Sequence, residues 1–287
     1  MDRAYQPTDR ARRWLLHINR HGPQSSVYLH ALTTDTHRSM DTTRRQLLKL
    51  RETGYLTLPP QQKQTFRAEF NPLIYDITPK GIDHLRDHGF DTATIRPTGH
   101  WWHGFTVSAV SSAIDIEAAR AGVRYIPAHE ILKRTGSPLA ISIDGAKLIP
   151  DQLFALDYGG SFRAFVLEVD RGTEPKTSPT RRKSWARSLL LYETAIKRDL
   201  PRQHYGLTAS LLLLWVFTGK SDEEGFRRLV EERVPGVADR ILTANIDDKS
   251  EHLTRRLPEG RCWNRMGADE AFSLWDTYPA TSRRGSP

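Results

Sequence analysis

Residues 148–174 read LIPDQLFALDYGGSFRAFVLEVDRGTE. The runs Asp151 to Leu156 and Ala164 to Asp170 have the length and apolar content of buried strands, and Gly159-Gly160 between them is most simply a hairpin turn. Yet the first run opens on an acid, Asp151, and the second closes on two, Glu168 and Asp170. Burying unpaired carboxylates is costly, so such residues pair, shift their pKa or hold a metal. Residues two apart on a strand share a face, which aims Glu168 and Asp170 the same way, and pairing of the two strands brings Asp151 beside them. Three such carboxylates offer oxygen ligands to Mg2+, which would polarise a scissile phosphate and generate hydroxide from water.

Outward from this stretch, a helix is expected from about Phe105 to Ala121, followed by strands near Val123 to Ile126 and Ala140 to Ile143. On that helix Glu117 follows Val110 by seven residues and Ile114 by three, which places it on the apolar face as a fourth carboxylate, with Asp115 off that face. A long helix over Arg181 to Asp199, a strand buried on both faces over Gly206 to Phe217, an amphipathic helix over Asp222 to Val234 and a strand over Ile241 to Ile246 complete the pattern. Strands and helices in this order predict an α/β domain with a central mixed sheet over residues 104–260, followed by a tail over 261–287. His100-Trp101-Trp102-His103 reads as an aromatic anchor rather than a metal site, because no second ligand pair follows.

Residues 1–90 read as a separate module, joined by a linker over 91–103 whose Asp91 to Gly99 stretch is rich in Pro, Gly and Thr. Asp9 is placed to cap a helix carrying Ala11, Trp14, Leu15 and Ile18, with Gly22 as its stop; a second helix fits Ser25 to Leu32. Asp41 is placed to cap a third helix ending near Glu52, and two strands, Tyr55 to Leu58 and Leu73 to Ile77, flank a polar tip over Pro59 to Arg67. Thr78-Pro79 opens a fourth helix, closed by Gly89. This is the order of a winged helix-turn-helix. On the third helix Thr42, Arg45, Gln46 and Lys49 form one polar stripe opposite Leu47 and Leu50. Arg and Gln forks match guanine and adenine edges, while Lys49 and Arg44 suit phosphates. Lys63 and Arg67 stand where a wing would touch the DNA backbone or minor groove.

The net charge of +8 favours a polyanionic partner, double-stranded DNA first. No stretch approaches the roughly 20 apolar residues of a membrane span, and the N-terminus lacks the apolar core of a secretory signal; a cytoplasmic protein is expected. The lone Cys262 has no partner for an internal disulfide. There is no P-loop, no strand-linked GxGxxG and no Ser-His-Asp pattern.

Pro150-Asp151, then Glu168 on the next strand, resembles the signature of the PD-(D/E)XK nuclease superfamily, with Glu117 suited to the Glu that members often add from the preceding helix. Asp170 stands where the signature has lysine. More closely, the chain resembles the replication-relaxation family of plasmid and mobile-element proteins, through His103, the Pro150-Asp151 segment, the run Leu167 to Glu174, and a basic stretch leading to a helix with Lys183 and Tyr192. The resemblance implies a winged helix followed by a restriction-endonuclease-like domain, and a role in replication, mobilisation or DNA processing. Three readings follow. The first is a DNA-binding accessory protein, a partner to a relaxase or replication initiator, whose nuclease-like domain keeps its acids as a structural network neutralised by Arg171, Arg181 or Arg182. The second is a Mg2+-dependent endonuclease with Asp151, Glu168 and Asp170 on the metal, Glu117 positioning water or metal, and Lys183 or Lys176 supplying the missing charge. The third is a transcriptional regulator whose second domain mediates homodimer formation or senses a ligand.

Overall fold

The computed structural model describes residues 5–63, 72–172, 176, 184–246, 263–268 and 270–275. Helix α1 (Asp9–His21) buries Ala11, Trp14, Leu15 and Ile18 on one face. Its cap is Thr8, whose hydroxyl accepts from the Ala11 N–H at 3.3 Å, and not Asp9. A capping residue must keep extended backbone angles, which Thr8 has, while Asp9 is already helical. For the same reason Ser39, not Asp41, caps the third helix.

Next come β1 (Gln24–Ser25), α2 (Ser26–Leu32), α3 (Met40–Glu52), β2 (Leu56–Thr57), α4 (Pro60–Lys63), β3 (Ile74–Ile77) and α5 (Pro79–Asp87). The three short strands form an antiparallel sheet in the order β1-β3-β2. Trp14, Leu15, Leu29, Leu47, Leu50, Tyr75 and Leu85 make the core of this module. The expected polar tip begins as the helical turn α4; Arg67 and the side chain of Lys63 lie outside the described residues.

The second part begins with α6 (Trp101–Arg120), which starts four residues ahead of the expected Phe105 and takes the end of the expected linker into its first turn. It is followed by β4 (Arg124–Pro127), α7 (Ala128–Lys133), β5 (Ile141–Ile143), β6 (Ala146–Leu148), β7 (Gln152–Asp157), β8 (Phe162–Asp170), α8 (Trp185–Lys197), α9 (Leu200–Tyr205), β9 (Leu211–Phe217), α10 (Lys220–Arg233), β10 (Ile241–Asn245), β11 (Trp263–Arg265) and β12 (Ala271–Phe272). The central sheet is mixed, in the order β12-β11-β10-β9-β8-β7-β4, with β8, β9 and β10 parallel and the flanking pairs antiparallel. The strand expected at 140–143 is absent from that sheet. It pairs with β6 in a two-stranded hairpin, because Asp144-Gly145 makes a two-residue turn that folds the chain straight back.

Alternation along β8 and β9 divides the domain into two layers. Val166, Leu213, Trp215 and Phe217 pack with α8 and α10 on one side. Leu167, Val169, Leu214 and Val216 pack with α6 on the other, where Tyr28 and Ala31 of α2 join the same cluster. Helix α6 is therefore buried on two sides. Val110 and Ile114 meet the sheet, while the fully buried Ser108, Ser111 and Ser112 lie toward the N-terminal module. Small hydroxylated residues let two helices approach closely and still satisfy buried polar partners.

Candidate functional site

The three acids of the opening stretch meet at one end of the sheet, each held by a neutral donor. The β7–β8 ladder runs to the Gln152–Leu167 pair. Just beyond it the Asp151 carboxylate takes over: Oδ2 accepts from the Val169 N–H at 2.8 Å, a side chain extending the ladder where the strand has ended. Its Oδ1 lies 3.0 Å from Nε2 of His103, in the first turn of α6. Glu168 is 3% exposed, and its Oε1 accepts from the Tyr192 hydroxyl at 2.5 Å. Asp170, equally buried, accepts from the Gly172 N–H at 2.8 Å and from the Trp185 indole N–H at 2.6 Å. The first of these bonds is an Asx-turn, which explains why Asp-Arg-Gly ends the strand. Burial, with the Glu168 charge next, pushes the Tyr192 phenol well above its ordinary pKa, so it stays a protonated donor.

Glu117 does not join them. Its Oε1 lies 2.6 Å from Arg120, whose other nitrogen donates to the Ala31 carbonyl in α2. The reason is strand alternation: α6 covers the face made by Leu167 and Val169, whereas Glu168 and Asp170 point to α8 on the opposite face. Lys183, Arg181 and Arg182 lie outside the described residues. Lys176 directs its ammonium toward Gly225 of α10. Among the described residues, Asp151, Glu168 and Asp170 do not each bring an oxygen within 4.8 Å of the others.

On α3 the apolar positions Leu47 and Leu50 pack inward as expected. Thr43, Leu47 and Leu50 are buried, while Arg44, Arg45 and Lys49 are exposed and Thr42 is half-buried. Arg44 pairs with Asp41 at 3.4 Å within the helix, and Arg45 reaches the Thr42 hydroxyl at 3.5 Å. Gln46 departs from the outward stripe. Its Oε1 accepts from Arg10 of α1 at 2.5 Å, so bidentate pairing with adenine requires it to release that partner.

A further constellation, outside the sequence reading, joins the two parts. His17 and His21 lie one turn apart on α1, and Asp115 faces them from α6. His21 Nε2 is 2.8 Å and Arg20 Nη1 2.9 Å from the same oxygen, Asp115 Oδ2. The ring nitrogens on the far side meet serines of α6: His17 Nε2 is 2.7 Å from Ser112 Oγ, and His21 Nδ1 is 3.0 Å from Ser111 Oγ. Burial, with the neighbouring imidazole next, lowers the pKa of His17 well below its usual value. Burial likewise lowers that of His21, against the opposing pull of Asp115. Burial pushes the Asp115 carboxyl upward, but the His21 hydrogen bond and the Arg20 charge override it and hold the group ionised. The His17–His21 spacing of four was the only available sequence signal, and it carried no hint of Asp115.

Fold and sites together define a mixed α/β protein with a basic N-terminal helical module docked on the first helix of its sheet domain. A family model described as replication-relaxation matches residues 15–211, from within α1 to the start of β9, and the chain belongs to that family. No curated protein and no solved structure matches it. Among the described residues no helix is long and apolar enough to cross a membrane.

Proposed function

We propose that the protein is a DNA-binding accessory factor of a plasmid or mobile element, acting in replication, mobilisation or processing beside a relaxase or replication initiator. The N-terminal module is a winged helix whose α3 lies in the major groove of duplex DNA. The reading is carried by the exposed row Arg44, Arg45 and Lys49 on a helix whose opposite face is buried in the module's core. Arg45 is the base-reading residue, and Arg44 and Lys49 contact phosphates. Fluorescence anisotropy on a duplex carrying the protein's binding site tests this. Arg45→Ala with Lys49→Ala should weaken binding by about tenfold or more, through the base contact of Arg45, and lower the salt slope by roughly one, through the phosphate contact of Lys49. Unchanged affinity and slope would assign the helix to a protein partner instead.

In this reading the nuclease-like domain is a scaffold. Its acids are engaged by Val169, Gly172, Trp185, Tyr192 and His103, which suits a rigid sheet end better than a cation cage. Supercoiled plasmid incubated with the protein and Mg2+ or Mn2+ should therefore stay intact. Cleavage that Asp151→Ala abolishes would establish the endonuclease reading in its place.

A further inference from the structure

His17, His21 and Asp115 present two nitrogens and one oxygen, all within 4.8 Å of one another, at the seam between α1 and α6. Histidines four apart on a helix share a face, so both rings approach the same point from one side, and Asp115 meets them from the other. The distances suit a particular ion. A tetrahedral zinc with bonds of about 2.0–2.1 Å separates its ligand atoms by roughly 3.3 Å. Here Asp115 Oδ2 is 3.6 Å from His17 Nδ1 and 2.8 Å from His21 Nε2, which straddle that value. At 3.6 Å the His17 contact is too long for a hydrogen bond, so this nitrogen faces the carboxylate without bonding it.

The outer contacts have the same logic. A ligating imidazole usually anchors its second nitrogen on a polar group, which fixes the tautomer and the ring plane. Ser112 and Ser111 do this for His17 and His21, each on the nitrogen that points away from Asp115. Both rings are almost fully buried, at 4% and 1% exposure, so neither is oriented by solvent. Two imidazoles and a carboxylate form the borderline donor set that favours zinc over magnesium or calcium. Two cationic groups oppose a cation, Arg13 through its field at His17 and Arg20 at closer range. The Arg20 guanidinium sits on the carboxylate oxygen that the ion would use. Its side chain is 25% exposed, so its head can turn toward solvent or move to the other oxygen.

We propose that His17, His21 and Asp115 are a zinc site that staples the N-terminal module to α6, with Arg20 holding the carboxylate when the ion is absent. The ion competes with Arg20, and this competition gives the test its sign. The full chain, dialysed against a chelator, is titrated with Zn2+ by calorimetry and with Co2+ by visible absorption. The expected result is one equivalent bound and the d–d bands of a four-coordinate cobalt with two imidazole nitrogens, the carboxylate oxygen and a water as ligands. His17→Gln and His21→Gln should each weaken binding by at least about tenfold, and Arg20→Met should strengthen it by a similar factor. The Arg20 variant and the cobalt spectrum of the unaltered chain keep the test decisive if a histidine variant misfolds. Absence of saturable binding in both the unaltered chain and Arg20→Met overturns the proposal. So does binding that survives both histidine changes, or a sulfur charge-transfer band, which would place the ion on Cys262.

Discussion

Gly22→Ala should destabilise the protein by about 3 kcal/mol, combining a backbone penalty with a steric one. Gly22 ends α1 at φ 101° and ψ −163°, a region that essentially only glycine occupies. A Cβ there would stand 2.5 Å from the Ser108 hydroxyl oxygen and 3.6 Å from an Arg96 nitrogen. Ser108 cannot simply rotate away, because its hydroxyl donates to the Gly104 carbonyl at 2.8 Å within α6. Relief therefore requires breaking that bond or moving the end of α1 off α6. At about 2–4 °C per kcal/mol for a chain of this size, the melting temperature should fall by roughly 6–12 °C in calorimetry. Gly159 supplies the control. It also has a positive φ, 84°, but nothing lies within 4 Å of its Cβ position, so Gly159→Ala should cost only the backbone part, about 1–2 kcal/mol. Equal losses at the two positions would mean that α1 and α6 are not in close contact.

The same seam marks the limit of what was legible in the sequence. The parallel core strand β9 was plain, because Leu211 to Phe217 is apolar without interruption and so belongs to a strand covered on both faces. The buried face of α3 was plain too, since Leu47 and Leu50 recur at helical spacing in a polar context. Helix α6 was half legible. A single apolar stripe describes a helix with one covered side, but α6 is covered on two, and its second contact is written in serines that look like surface residues. Its spacing puts Asp115 off the sheet-facing side, yet its partner His21 lies 94 residues earlier in the chain, a pairing no local pattern encodes. Glu117 shows the complementary limit. A residue can face inward from a helix and still be separated from two carboxylates by the sheet itself. Nothing in the sequence marks Trp185 as the partner of Asp170, because an indole N–H leaves no charge signature there. The Asp-Arg-Gly end of the distinctive EVDRG string is explained by local structure: an Asx-turn needs Asp170 and an accessible Gly172 N–H.

Asp115→Ala, measured in the presence of a chelator, should cost about 3–5 kcal/mol, because it leaves a guanidinium at a helix seam without its counter-charge. Three groups lose their common partner at once: Arg20, His21 and, more distantly, His17. Arg20 can recover part of its hydration, since a quarter of its side chain is exposed, but His21 at 1% exposure cannot. Asp115→Asn separates charge from shape. It keeps a carbonyl oxygen able to accept from one donor, so its loss should be smaller than that of Asp115→Ala but still exceed about 1 kcal/mol. Arg20→Met addresses the other half of the pair. With Asp115 still accepting from His21, its cost should stay below that of Asp115→Ala. In the cycle formed with Asp115→Asn, the double variant should be less destabilised than the sum of the singles, with a coupling of about 1–3 kcal/mol. Additive losses would show that Arg20 and Asp115 do not act on each other. The carboxylate would then serve the histidines alone, and the N-terminal module would be held to α6 by packing and serine hydrogen bonds.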